Sequence, residues 1–260
     1  MKNEITLPSL RRFNLIMGSL HLIQGMIMLY FSLTIDKIIN FRTPLRTYFL
    51  TFDVATMRLV TEPKEAGTLP FGILVASFLF LSALAHFVIA FPGINNVYND
   101  NIRKGINPFR WYEYALSSSI MIVLIATLFG VYAIDTLILI FCLNASMNLF
   151  GYLMEKMNQL TARTNWTPFI FGSIAGFAPW VVIAMSTFGN SDLSKVPWFV
   201  FALTFSYFFF FNMFPVNMIL QYRKVGRWSN YLYGERVYIV LSLVAKTVLA
   251  WIVFAGVMQP

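Results

Sequence analysis

The chain has 260 residues, of which 58% are hydrophobic, 17% aromatic and only 12% charged, and its mean hydropathy is +0.68. This composition lies far outside the range of soluble domains and indicates a membrane protein. The net charge of +8 comes from basic residues that are scattered among the loops, so we predict no nucleic-acid partner for it.

Seven apolar segments have the length of about 20 residues that a helix needs to cross a bilayer. We therefore predict an all-α fold, a single domain over residues 1–260 with seven transmembrane helices in a lipid bilayer. The first segment lacks a short apolar core followed by a small-residue cleavage site, so we expect it to be retained. The segments cover residues 13–33, 69–91, 111–131, 134–154, 167–188, 196–220 and 237–258.

The distribution of basic residues predicts the orientation of the chain. Twelve lysines and arginines, Lys2 among them, lie in the N-terminal tail and the second, fourth and sixth connections. The short connections on the other side contain one, Lys195. Because short cytoplasmic loops are enriched in basic residues, we predict a cytoplasmic N-terminus and an extracellular C-terminus.

The first connection, residues 34–68, is the one sizeable polar piece of the chain and is predicted to be extracellular. Apolar side chains alternate along part of it, which predicts a short β-strand or hairpin, with a solvated loop as the alternative. An exposed strand edge with apolar side chains can pair with a second copy, so we predict a homodimer. The alternating residues are Tyr48, Leu50, Phe52 and Val54.

Two histidines lie within the predicted spans, in the cytoplasmic halves of helices one and two. His21 has Gln24 three residues later, and His86 has Ser82 four residues earlier, so each pair shares a helix face. Such histidines are often satisfied core residues. The alternative is a polar cavity in which they carry protons.

The third helix carries a carboxylate, Glu113, close to its predicted start. Asn107 and Pro108 look like an N-cap and a first-turn proline, and Ser117 lies one turn after Glu113. An interfacial carboxylate is one interpretation. The other makes Glu113 the anion that balances a cation within the bilayer.

The last segment contains that cation, Lys246. It lies nine residues from one end of the segment and twelve from the other, which is about 13 Å and about 18 Å along the helix. At this depth the side chain cannot snorkel to the interface. An unpaired charge there costs about 3 kcal/mol or more, so the amine must be paired, neutralised or covalently modified. We predict a Schiff base with a carbonyl ligand. A salt-bridged lysine in a transporter or channel is the alternative, and Ser242 shares the face of Lys246 in either case.

Other chemistries find less support in the sequence. Two histidines on different helices make a weak metal site, so we predict no metal. Ser117 and its neighbours lack a base and a G-x-S-x-G context, so we predict no enzyme. A proton pump needs titratable groups on both sides of the switching site, whereas we find no histidine or carboxylate in the external half of any span.

Several stretches resemble the heliorhodopsins over essentially all seven spans. They are LHLIQ at 20–24, LSALAHF at 81–87, RWYEYALSSSIMIVLIA at 110–126, LNASMNLFGYLMEK at 143–156 and WSNYLYGERVYIVLSLVAKTVLAW at 228–251. The last block is the longest and the most specific. The inverted topology predicted above agrees with that family.

The resemblance implies a seven-helix rhodopsin-like bundle with all-trans retinal attached to Lys246 as a protonated Schiff base and Glu113 as its counterion. It also implies a dimer with a two-stranded extracellular sheet. The proton-accepting cavity would contain His21, His86, Gln24, Ser82, Ser117 and Ser242. The retinal pocket would include Tyr114, Asn144, Met147 and Trp251.

From these features we predict a photosensory receptor that signals to an unidentified cytoplasmic partner without pumping ions. Light would isomerise retinal from all-trans to 13-cis, and the Schiff base would transiently lose its proton toward the cytoplasmic cavity. A light-gated ion or proton channel is the main alternative. A light-dependent regulator of a soluble enzyme or transporter, bound through the basic sixth connection, is another.

Overall fold

The structure, a computed structural model, describes residues 5–189, 192, 194 and 196–258, and Lys2 and Lys195 therefore lie outside the described residues. Within these residues, seven helices are long and apolar enough to cross a membrane, which confirms the predicted seven-helix fold. They are α1 (Leu7–Thr34), α3 (Phe71–Ala90), α5 (Pro108–Leu128), α6 (Ile134–Met157), α7 (Thr167–Phe188), α8 (Trp198–Tyr222) and α9 (Tyr231–Val257). Two shorter helices, α2 (Asp36–Ile39) and α4 (Ile94–Arg103), lie in connections, and a 3-10 helix (Gly226–Ser229) precedes α9.

Capping residues decide where the long helices begin. Asn107 precedes α5, and its side chain accepts a hydrogen bond from the Arg110 N–H, as its position before Pro108 predicted. Asn230 caps α9 in the same way through the Leu232 N–H. The last helix therefore starts at Tyr231, six residues before the predicted span, and it carries charged residues in its first two turns.

The long helices pack side by side in chain order, each antiparallel to the next. Close contacts join α1 to α3, α3 to α5, α5 to α6, α6 to α7 and α8 to α9, and α9 closes the bundle against α1. Trp180 of α7 contacts the rings of Tyr207 and Phe208 of α8. We call the end of the bundle at which α1 begins the N-terminal side, and the opposite end the hairpin side.

A two-stranded antiparallel sheet on the hairpin side confirms the predicted hairpin, which is longer than the alternating pattern alone. Its strands are β1 (Arg42–Asp53) and β2 (Arg58–Pro70). Asp53 closes the turn by accepting hydrogen bonds from the Thr56 hydroxyl and the Ala55 N–H, which lowers the pKa of its carboxyl. The Arg46 N–H donates to the Tyr132 carbonyl at 2.9 Å, so the hairpin is also joined to the connection before α6.

The amphipathic helix α4 covers part of the N-terminal side. Gly93 precedes it with φ of +90°, a backbone conformation that favours glycine, and the chain turns sharply from α3 into α4 there. Tyr98 and Ile102 are buried from α4 and pack with Leu10 of α1 and Ile239 of α9. A short helix outside the seven spans therefore contacts the interior of the bundle.

Candidate functional site

Lys246 and Glu113 form an ion pair inside the bundle. The Lys246 Nζ lies 2.8 Å from Glu113 Oε1, and the side chains expose only 4% and 9% of their surface. Glu113 lies less than two turns into α5, whereas Lys246 lies about four turns into α9. They meet because α5 begins inside the bundle, where Asn107 is buried, and because a lysine side chain leans back toward the start of its helix.

Two serines complete the contacts of this pair. The Ser82 hydroxyl of α3 donates to Glu113 Oε1 at 2.6 Å, and the Lys246 ammonium donates to Ser242 Oγ at 2.9 Å. The same ammonium lies 5.3 Å from the centre of the Tyr114 ring, a favourable position for a cation over an aromatic face. Charge and hydrogen bonding are therefore matched around the amine without bulk water.

A small polar cavity of about 30 Å³ adjoins the ion pair on the N-terminal side. Ser82, His86, Glu113 and Ser242 of the predicted set line this cavity, which we call the polar cavity. The His86 Nδ1 lies 2.7 Å from Asn14 Oδ1. A cavity of this volume holds about one water molecule, enough to connect its polar groups.

The remaining members of the predicted cavity lie near it but not along its wall. His21 is fully buried and stacks on His86, with the ring centres 5.6 Å apart. Ser117 is buried one turn after Glu113 and lines a larger cavity on the other side of the ion pair. The structure therefore places His21 behind His86 and Ser117 on the opposite side of Glu113.

Gln24 and Trp251 differ from the prediction, because the structure places both outside the cavities. The Trp251 Nε1 donates to Gln24 Oε1 at 3.3 Å, and Trp251 is 40% exposed. At about 100° per residue, Trp251 is turned by about 140° from Lys246 around α9, so the two side chains leave the helix on different faces. Neither Gln24 nor Trp251 belongs to the predicted proton site or retinal pocket in this structure.

The larger cavity, of about 330 Å³, extends from Lys246 between α5, α6, α7, α8 and α9. It falls within the range of about 300–1,000 Å³ typical of small-molecule sites. Tyr114 and Met147 of the predicted pocket line it. Asn144 lies behind its wall, where its amide donates to the hydroxyls of Ser118 and Ser119 at 2.8 and 3.0 Å.

The residues present fit retinal, a long apolar aldehyde. Apart from Lys246 and a few hydroxyls and amides, the walls of the larger cavity are apolar and include the aromatic rings of Trp111, Trp180 and Phe211. Close packing shapes it further, since a Cβ at Gly176 of α7 would collide with the Met147 side chain. An apolar chain can lie along these walls while its aldehyde carbon meets the amine at one end.

Sequence reasoning missed a second buried ionic cluster on the N-terminal side. Arg110, which we counted with a connection, forms ion pairs with Glu155 of α6 and Glu235 of α9, and all three side chains expose 4% or less. Glu155 and Glu235 fell outside the predicted spans because α6 and α9 are longer than predicted. Helical spacing could have found the cluster, since Glu235 lies seven residues before Ser242, and Arg110 three before Glu113.

Asp135 is an exception to the prediction that the external halves of the spans contain no carboxylate. It belongs to the first turn of α6, inside a predicted span that we described as free of carboxylates in its external half. Its side chain is exposed and accepts a hydrogen bond from the Thr136 N–H. Asp135 therefore acts as a surface residue at a helix start rather than as a titratable group near Lys246.

Comparison with known proteins identifies the family of the chain. Residues 10–258 match the model of the heliorhodopsin family, which covers all seven long helices almost completely. No curated protein matches the chain. The chain therefore belongs to the heliorhodopsin family of retinal-binding, light-sensing membrane proteins.

Proposed function

We propose that the chain is a photosensory receptor in which retinal is covalently attached to Lys246 and Glu113 is the counterion. The observation that carries the proposal is the position of Lys246, which lines the large apolar cavity while its ion-pair partner Glu113 lines the small polar cavity. An amine in this position can hold an apolar ligand on one side and exchange a proton, past Glu113, on the other. Bound all-trans retinal supplies light absorption and isomerisation to 13-cis.

The protein groups hold the charge and define the direction of proton movement. Glu113 balances the positive charge on the Lys246 nitrogen, while Ser82 and Ser242 fix the two partners in place. When that nitrogen releases its proton, the polar cavity with His86 is the adjacent polar space. We therefore propose that the transient proton acceptor lies on the N-terminal side.

The arrangement of ionisable groups favours a sensor over a pump. Among the described residues, the buried histidines, carboxylates and basic groups all lie on the N-terminal side of the bundle or at the ion pair itself: His21, His86, Arg110, Glu113, Glu155, Glu235 and Lys246. A pump needs a route to release or take up a proton on each side of the switching nitrogen. Among its described residues, the hairpin side has no buried ionisable group that could release or take up a proton.

The proposal extends to the orientation of the protein in the membrane, its oligomeric state and its partner. The bias of basic residues supports a cytoplasmic N-terminal side and an extracellular hairpin in the cell membrane. We propose that the protein is a homodimer and that an unidentified signalling partner binds at the cytoplasmic side. The basic sixth connection supports that location because Arg223, Lys224 and Arg227 are exposed there.

Reconstitution with all-trans retinal tests the proposed attachment. We expect a coloured pigment that hydroxylamine bleaches in light, and we expect Lys246→Ala to remain colourless. Lys64→Ala removes an exposed lysine of the hairpin and should keep the colour. Colour in the Lys246→Ala protein would overturn the proposed attachment.

A voltage-clamp measurement then tests the proposed activity. A sensor should give no sustained photocurrent at any holding potential in membranes that contain the coloured pigment. A steady current that reverses with the ion gradient would instead establish a light-gated conductance. A steady current against the gradient would establish a pump.

A further inference from the structure

The buried cluster of Arg110, Glu155 and Glu235 has no role in the function proposed above, and its charges do not balance. One guanidinium faces two carboxyl groups, and all three side chains are almost completely buried. Lys246 does not supply the missing positive charge, because it is paired with Glu113. The nearest further basic side chains on these helices, Lys156 and Arg236, are exposed.

No other described cation touches the cluster. Besides Arg110, its contacts come from the hydroxyls of Tyr98 of α4 and Tyr231 of α9, the Asn107 side chain and backbone, and the Trp111 indole. These groups are neutral hydrogen-bond donors. With both carboxyl groups ionised, the cluster would hold an uncompensated negative charge in a region of low dielectric, which is costly. A single proton on one carboxyl group removes that charge.

The hydrogen bonds indicate which carboxyl group carries the proton. Besides Arg110, Glu155 accepts from the Asn107 N–H at 2.8 Å, the Trp111 indole N–H at 2.7 Å and the Tyr231 hydroxyl at 3.0 Å. A backbone N–H and an indole N–H can only donate, so Glu155 Oε2 accepts from both, and four donors around one carboxyl group, Arg110 included, favour its ionised form. The Arg110 and Tyr231 donors occupy Oε1.

Glu235 has an environment that tolerates a proton. Its Oε1 contacts the Tyr98 hydroxyl at 3.2 Å and the Asn107 amide at 2.6 Å. A hydroxyl can rotate and accept instead of donating, so Tyr98 can receive a hydrogen bond from a neutral Glu235 carboxyl. Glu235 also lines the polar cavity that Glu113 borders, whereas Glu155 does not.

We propose that Glu235 is a proton-storage site, a carboxyl group that is protonated within the membrane interior, and that it exchanges its proton with the polar cavity. In the exchange the O–H bond of Glu235 breaks and the proton passes to the imidazole of His86, which lines the same cavity, leaving a carboxylate beside Arg110 and an imidazolium in the cavity. Reversal restores the neutral cluster. Storage does not require retinal, whereas a part for this proton in the light response rests on the proposed function.

Infrared spectroscopy of the retinal-free protein tests proton storage directly. In a maltoside detergent, which has no ester carbonyl, we expect one carbonyl band of a protonated carboxylic acid near neutral pH, and we expect it to shift in D₂O. Glu235→Asp should shift the frequency of that band, and Glu235→Gln should remove it. Glu155→Asp and the exposed-site control Glu62→Gln should leave it in place.

A further variant tests the charge argument without altering Glu235. Glu155→Gln leaves Arg110 with Glu235 alone, so Glu235 should ionise and the band should disappear. The proposal is overturned if the retinal-free protein shows no such band, if the band survives Glu235→Gln, if Glu155→Asp shifts it instead, or if it fails to shift in D₂O. Each of these results is independent of whether Lys246 binds retinal.

Discussion

Glu113 determines the charge balance at the Lys246 nitrogen. It is the carboxylate within hydrogen-bond distance of that nitrogen among the described residues, and the pair is nearly inaccessible to solvent. In such an environment a cation persists only while an anion stays beside it. The colour of a retinal pigment depends on that cation, so a single carboxylate should control whether visible light is absorbed.

We therefore predict that Glu113→Gln loses most of its visible absorption near neutral pH. Glutamine keeps the shape of the side chain and removes its charge, so the nitrogen linked to retinal should give up its proton. Absorption spectra of the reconstituted variant over a pH series measure this loss. Glu65→Gln, an exposed carboxylate of β2, should behave as the unmodified protein. An unchanged visible band in Glu113→Gln would show that another group balances the charge.

At the scale of helices, Arg110 joins three elements that are distant in the chain. Its guanidinium reaches Glu155 of α6 and Glu235 of α9, and it lies over the Tyr238 ring at 4.0 Å. These contacts hold the start of α5 against the end of α6 and the start of α9. They also place Glu113, one turn later on α5, at the level of Lys246.

Arg110→Gln should destabilise the protein by about 3–5 kcal/mol, because it leaves buried carboxyl groups without their cation. Thermal unfolding in detergent should show a clearly lower midpoint. Arg103→Gln is the matched control, since its ion pair with Asp100 is exposed, with 64% and 62% of the side chains accessible. Such surface pairs contribute about 1 kcal/mol or less. Equal midpoints for the two variants would contradict a stabilising role for the buried cluster.

Hydropathy predicted the seven spans, and capping residues predicted the start of α5 at Pro108. The same hydropathy window ended the fourth span before Glu155 and began the last after Glu235, because a charged residue at the end of an apolar run lowers the mean hydropathy there. Partners that neutralise these charges come from other helices, and a hydropathy window contains no information about them.

The residues that line the large apolar cavity also could not be predicted from single helices. Its wall at Trp180 depends on contacts between α7 and α8. One helix alone does not reveal which of its aromatic residues face a ligand and which face lipid, because all sides of these spans are apolar. The position of Trp251 on an exposed face of α9 could not be predicted for this reason, whereas polar residues such as Ser82 and Ser242 could be placed by helical spacing.

The two ends of the molecule carry different kinds of side chain. Ionisable groups are buried on the N-terminal side, while the hairpin side carries an exposed sheet with apolar side chains. On one face of this sheet lie Tyr48, Leu50, Phe52 and, opposite Phe52, Leu59, with exposures of 47%, 68%, 52% and 63%. An exposed apolar face outside the bilayer favours association with a second copy, because burying it removes apolar surface from water.

We predict that the double substitution Leu50→Lys with Phe52→Lys converts the proposed dimer into a monomer. Two adjacent lysines on this face would meet the same charges of the second copy, and the apolar area would be lost. Light scattering of the purified protein in detergent measures the mass. Thr51→Lys, on the opposite face of β1, adds the same kind of charge and should leave the dimer intact. Since the hairpin lies at the other end of the bundle from Glu113, the visible absorption of both variants should stay unchanged. A dimer that persists after the double substitution would place the interface on the lipid-facing helices instead.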